Sequence, residues 1–224
     1  MPDRGLLDLA TVAAPALGAA AGGLRFEAAR WAQITFEVDQ AAALSRLPAD
    51  AGRPIPTYAR LLVIDGPHRV ALLAVGGRHK LLPRNVLVEA IVDGDADAVA
   101  GAIGGPCRPG RVSLERAASR LTVTVADAAS GPLATMTLPD LRAVDPGMLR
   151  WDPWLTFAGR DGVTYAAEVA AQASPTEAFL SKGATLETPP SLGRGHLWRQ
   201  FRNLQTISAC FGEGQLAFSA PAIA

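Results

Sequence analysis

Apolar and polar residues alternate through much of this chain. Ile34, Phe36 and Val38 interleave with Thr35, Glu37 and Asp39, a period of two that predicts a strand with one buried face and one polar face. Similar runs at residues 58–64, 70–75, 86–92, 112–116, 121–125, 133–138 and 163–169 predict seven more strands, most of them bounded by Gly, Pro or Asp. Helical signals are few. Asp39 can cap a helix over 40–46 that Pro48 ends, and Asp93 or Asp95 can cap one over 96–103 that runs into Gly104, Gly105 and Pro106. A third helix fits within 197–210. The pattern predicts a mainly β (α+β) protein, largely antiparallel, with a few short helices; closure into a cone or barrel is one way to remove exposed sheet edges. No linker or repeat divides the chain, so 1–224 reads as one domain, with 1–24 as a flexible N-terminal segment.

Composition narrows the functional classes. Of the 224 residues 49% are apolar, enough for a sizeable core, and 21 basic residues balance 21 acidic ones. No global field draws such a chain to nucleic acid or to an anionic membrane, so neither is expected as a partner. Among the 21 cationic residues only Lys80 and Lys182 are lysines, so chemistry that needs a neutral amine has two candidates. Cys107 and Cys210 stand far apart, with no C-x-x-C and no histidine at metal spacing; two reduced thiols in a cytoplasmic protein and no metal are expected. Residues 6–24 have the apolar character of a secretory signal, but Asp8 and Pro15 interrupt them and Asp3 offsets Arg4. No uninterrupted apolar stretch is long enough for a membrane-spanning helix.

No phosphate loop, nucleophile elbow, zinc-protease helix or calcium loop occurs. One extended constellation is more informative. Residues 93–110 read Asp-Gly-Asp-Ala-Asp-Ala-Val-Ala-Gly-Ala-Ile-Gly-Gly-Pro-Cys-Arg-Pro-Gly, and the strands 112–115, 119–125 and 133–138 follow. This order resembles the acetoacetate decarboxylase family: a strand ending in Asp, a short Ala-rich helix, a P-K-K-x-G loop, then three strands. Upstream, residues 34–39 with Leu44 and Leu47-Pro48 are similar to the family's first strand and the helix after it. Downstream, residues 177–186 are similar to a late family segment.

The resemblance implies a closed, cone-shaped β architecture that holds a small oxo-acid or related carbonyl compound, in a homo-oligomer without a cofactor. In that family the first lysine of the loop forms a Schiff base, its amine kept partly neutral by a cationic neighbour and by desolvation. Here that position is Cys107, and the neighbour is Arg108. A thiol cannot form an imine, so Schiff-base decarboxylation cannot run at this position. The turn Gly66-Pro67-His68-Arg69-Val70 places Val70 where the resemblance implies a glutamate, and residues 58–64 offer no carboxylate.

Candidate catalytic residues are therefore Cys107, Arg108 and His68; candidate substrate-binding residues are Arg30, Trp31, Gly105 and Pro106. Cys107 is either a nucleophile activated by Arg108 or a small apolar filler in the lysine's place. Arg108 and Arg30 are carboxylate clamps or surface arginines, and His68 is a general acid or base or a solvated turn residue. Trp31 is one of four tryptophans that need burial and an indole partner. Three functions stay open: a lysine-independent lyase performing dehydration, aldol-type or cyclisation chemistry; a non-catalytic binding protein; and a decarboxylase using Lys80 or Lys182 as a relocated amine. The arginine-bearing tract 194–202 reads as a solvated amphipathic face.

Overall fold

The computed structural model describes residues 23–47, 56–79, 82–149, 154–160, 163–169, 171–219 and 222–223. Lys80, Trp151 and nearly all of the 1–24 segment lie outside them. The elements in chain order are β1 (Leu24–Glu37), α1 (Gln40–Leu44), β2 (Tyr58–Asp65), β3 (Arg69–His79), β4 (Leu82–Asp93), α2 (Ala96–Ile103), β5 (Cys107–Ala117), β6 (Arg120–Asp127), β7 (Gly131–Leu138) and β8 (Arg142–Ala143). After these come β9 (Trp154–Arg160), β10 (Val163–Val169), β11 (Ala171–Leu180), β12 (Thr185–Glu187), α3 (Leu197–Gln200), β13 (Gln205–Phe218) and β14 (Ala222–Ile223).

Among the described residues the protein is mainly β with three short α-helices, as the pattern predicts, but the sheet they form is not closed. Its strand path runs β12-β7-β6-β5-β4-β3-β2-β1-β13-β11-β8, and the two end strands, β12 and β8, pair with different partners. Nor is pairing wholly antiparallel. β4 lies parallel to β5 through Ala90↔Cys107 and to β9 through Asn85↔Trp154. The first of these follows from α2, which carries the chain from the end of β4 back to the start of β5, as a parallel pair requires.

Alternation was expected to leave one polar face. Instead the central strands are buried on both faces: Leu61, Leu62, Val63 and Ile64 are all inaccessible. Ile34, Phe36, Leu61, Leu73, Val112 and Trp198 belong to one apolar core, while Trp31, Leu62, Ile64, Leu72, Ala90 and Val99 belong to the other. Strands covered on both faces read as near-continuous apolar runs, which is the character of 61–64 and 70–75.

Two local expectations fail. The third helix is a single turn, Leu197–Gln200, after which residues 205–218 form a strand. His196 supplies no side-chain cap, and pairing of β13 with both β1 and β11 satisfies its backbone on two sides. The segment 76–79, whose Gly-Gly-Arg-His sequence has the look of a turn between strands, continues β3, with the Tyr58 ring lying where a side chain on Gly76 would project.

Glycine has a decisive place beside the loop that resembles the family motif. A Cβ on Gly110 would sit 2.3 Å from the Ala126 carbonyl oxygen and 2.4 Å from Ile91 Cγ2. Only glycine lets β5 approach β6 this closely, and the backbone carbonyl cannot swing aside. Gly110→Ala is expected to destabilise the fold by about 1–3 kcal/mol through overpacking, readable as a lower urea midpoint. An unchanged midpoint would mean that the two strands can separate freely.

Candidate functional site

The site is organised by the crossover from β4 through α2 to β5. Asp95 caps α2 by accepting from Ala98 N at 2.9 Å, and the helix ends at Gly104, whose left-handed backbone (φ 66°) directs its N–H to Ala100 O at 2.8 Å. Gly105 is buried. The Pro106 carbonyl then accepts from Ala90 N at 2.8 Å, which fixes where β5 begins.

Because consecutive strand residues point to opposite faces, this start separates the two candidates that stand side by side in sequence. Cys107 packs against the core that contains Trp31, Leu72 and Ala90. Burial pushes its thiol up to about 12, and Asp97 adds to the rise. Activation by Arg108 is thus not what the surroundings provide: the thiol stays protonated near neutral pH, as a filler would.

Arg108 projects to the other face and meets two buried carboxylates. Its Nη2 donates to Glu89 Oε2 at 3.2 Å, its Nε lies 2.9 Å from Glu89 Oε1 in a charge contact, and its Nη1 lies 3.2 Å from Asp127 Oδ2. Glu89 Oε2 also accepts from Trp198 Nε1 at 2.5 Å. One carboxylate thereby joins β4, β5 and α3. Burial pushes the Asp127 carboxyl up, but the Ser130 and Ala129 backbone N–H groups, the Ser130 hydroxyl and Arg108 together outweigh it and hold the group below its usual range. A carboxyl so depressed stabilises the fold above its unfolded value of about 3.9, and that stability is lost as pH falls through the folded value. Acid unfolding followed by circular dichroism is therefore expected to set in below about pH 4, and Asp127→Asn should flatten the profile there while lowering stability at pH 7.

Arg30 and His68 lie at the end of the sheet formed by the β2–β3 turn. Arg30 Nη2 donates to Asp65 Oδ2, Arg69 Nε donates to Asp65 Oδ1 at 2.9 Å, and Arg69 Nη1 lies 3.8 Å from Asp93 Oδ2. Charges alternate in sign across β1, β2, β3 and β4. Arg30 borders an open cleft of about 540 Å³ whose other charged walls are Glu27, Asp65 and Glu213. Three carboxylates against one guanidinium make this cleft a poor receptor for an anion. His68 is half-buried against Gly94, and no hydrogen bond joins it to Cys107, Arg108 or Arg30. Trp31 is wholly enclosed, its indole lying across Gly212. Lys182 is exposed in the turn after β11.

The residues expected in one site therefore divide among three places: Cys107 with Gly105 and Pro106 at the start of β5, Arg108 on the opposite face, and Arg30 with His68 at the sheet end. Glu89, Asp127 and Trp198, which complete the buried charge cluster, were not singled out as functional. A signal for Glu89 exists, since a carboxylate inside the apolar run 86–92 requires a buried partner. Among the described residues no helix is long and apolar enough to cross a membrane.

No protein-family model matches this chain, and no curated protein sequence does. Solved structures do. Acetoacetate decarboxylase from Legionella pneumophila subsp. pneumophila superposes with a TM-score of 0.76 at 17% identity, over 89% of this chain and 86% of that one. A second acetoacetate decarboxylase structure gives 0.76 at 14% identity, over 100% and 98%. The enduracididine biosynthesis enzyme MppR, complexed with pyruvate, gives 0.70 at 12% identity, over 89% of each chain. Identities of this size speak to architecture, and the architecture agrees along nearly the full length. This chain has the acetoacetate decarboxylase fold.

Proposed function

We propose that this protein binds a small oxo-acid or related carbonyl compound within the acetoacetate decarboxylase fold, in the cytoplasm and as a homo-oligomer, without Schiff-base chemistry. The observation that carries the reading is Cys107, a half-buried thiol at the loop position where the family resemblance implies an imine-forming lysine. A thiol offers no nitrogen for an imine, so carbon dioxide release would lack its electron sink. Two free cysteines suit a reducing compartment.

Arg108 is the candidate for the ligand's oxygen atoms. A guanidinium has five N–H donors, and Glu89 and Asp127 engage three of its nitrogens once each, on a side chain that is 41% exposed. The two carboxylates outnumber the guanidinium, so the ligand meets open donors in a cluster of net negative charge, which favours weak over tight capture. The same pairing favours a binding role over a lyase: carboxylates already balance the charge of Arg108 and of Arg30, which leaves N–H donors for a ligand but little net positive field for developing negative charge.

Thermal unfolding with millimolar pyruvate and acetoacetate, run beside an assay for carbon dioxide, tests the reading. A rise in melting temperature with no gas released is expected. Carbon dioxide above the uncatalysed rate, or no shift with either compound, would overturn it.

A further inference from the structure

We infer that the cleft beside α3 is a binding site for a small polyanion, a phosphate- or carboxylate-bearing compound of metabolite size. It has a volume of about 420 Å³ and is lined by Asp39, Arg194, Arg199, Gln200, Arg202 and Leu204. Pockets of a few hundred Å³ suit small molecules. This site is separate from the Arg108 cluster, and the inference does not rest on the oxo-acid reading.

Charge is the first argument. The chain as a whole is neutral, yet three arginines line this cleft against one aspartate. That carboxylate is already committed: Asp39 Oδ1 accepts from Ala41 N at 2.9 Å and Ala42 N at 3.1 Å to cap α1. Among the described residues none of Arg194, Arg199 and Arg202 forms an ion pair, in contrast to Arg30, Arg69, Arg108 and Arg116, which all do. Three unneutralised arginines converging on one concavity repel one another unless an anion sits between them.

Preorganisation is the second. Arg199 Nη1 donates to Pro189 O at 3.3 Å, Gln200 Nε2 donates to Gly195 O at 3.0 Å, and Arg46 Nη2 donates to Gln200 Oε1 at 3.3 Å. Trp198, in the same short helix, is anchored to Glu89. The scaffold under the cleft is thus held by hydrogen bonds to three segments, the 188–196 loop, Arg46 and β4, while Arg194 and Arg202 remain exposed. Planar guanidiniums match carboxylate and phosphate oxygens bidentately, and Leu204, 51% exposed, offers an apolar contact for a carbon skeleton.

Isothermal titration of the full chain with citrate and with inorganic pyrophosphate, in a buffer free of other polyvalent anions, tests this. Binding of either probe is expected; which one binds tells carboxylate from phosphate recognition. Arg194→Ala/Arg202→Ala should weaken it at least tenfold with an unchanged circular dichroism spectrum, and Arg194→Lys/Arg202→Lys should recover only part of the loss, because charge returns without the bidentate fork. No binding of either probe to the parent chain, unchanged affinity in the double alanine variant, or binding of a single-stranded oligonucleotide alone would overturn the proposal.

Discussion

Replacing Glu89 by Ala is expected to lower the melting temperature by roughly 6–12 °C, with Glu89→Gln producing about half the effect. The carboxylate is 8% exposed and serves two donors on two other elements, the Arg108 guanidinium at the start of β5 and the Trp198 indole in α3. Removing it leaves the indole N–H without its acceptor in a buried position, a loss of about 1–3 kcal/mol. It also removes one of the two carboxylates around Arg108. The full cost of breaking a buried ion pair, about 3–5 kcal/mol, does not apply, because Arg108 is 41% exposed and water can solvate it. A total near 3 kcal/mol follows, and about 2–4 °C per kcal/mol in a chain of this size converts it. Glutamine keeps an acceptor for Trp198 but loses the charge, hence the smaller effect. Trp198→Phe separates the two contributions, since it removes the indole donor and leaves the pair with Arg108 in place. Melting temperatures equal to that of the parent protein in all three variants would show that the cluster does not join β4, β5 and α3.

The second large effect is kinetic. Cys107 in the native protein is expected to react with iodoacetamide at pH 8 at least tenfold more slowly than in the unfolded chain, the loss of thiolate outweighing the greater nucleophilicity of a more basic one. Burial, and then Asp97, push its thiol up to about 12, so about one molecule in 10⁴ carries the reactive thiolate at that pH, against a quarter or so for an ordinary thiol near 8.5. Cys210, pushed up to about 11 by burial against a smaller opposing influence of Arg60, should be slow as well. Each reaction should gain about tenfold per pH unit until unfolding intervenes. Rapid stoichiometric alkylation of native Cys107 would instead restore the activated nucleophile.

Much of this architecture is legible in the sequence, and the exceptions have physical causes. Period-two alternation locates the strands at 34–38, 121–125 and 133–138, and 58–64 and 70–75 stand out as apolar runs bounded by turn residues. The helix over 96–103 is visible at both ends, from the Asp95 cap and the Gly104-Gly105-Pro106 stop. Alternation does not say what covers the second face, so the double burial of β2 is a property of the assembled sheet. The helix sought in 197–210 loses after one turn, since both neighbours of β13 are strands from remote parts of the chain. The site was less legible still. Cys107 and Arg108 stand together in the sequence and apart in space, because strand pleating sets adjacent residues on opposite faces. Glu89 finds Arg108 nineteen residues on and Trp198 more than a hundred residues on, and no local pattern announces either partner.

The central claim, a fold kept without its imine chemistry, is tested most directly by intact-protein mass spectrometry after incubation with acetoacetate or pyruvate and borohydride. Reduction turns an imine into a permanent secondary amine and leaves reversible binding unrecorded. A single species at the unmodified mass is expected with either compound. A stable adduct that vanishes in Lys80→Ala or in Lys182→Ala would contradict it, and would assign the chemistry to a relocated amine.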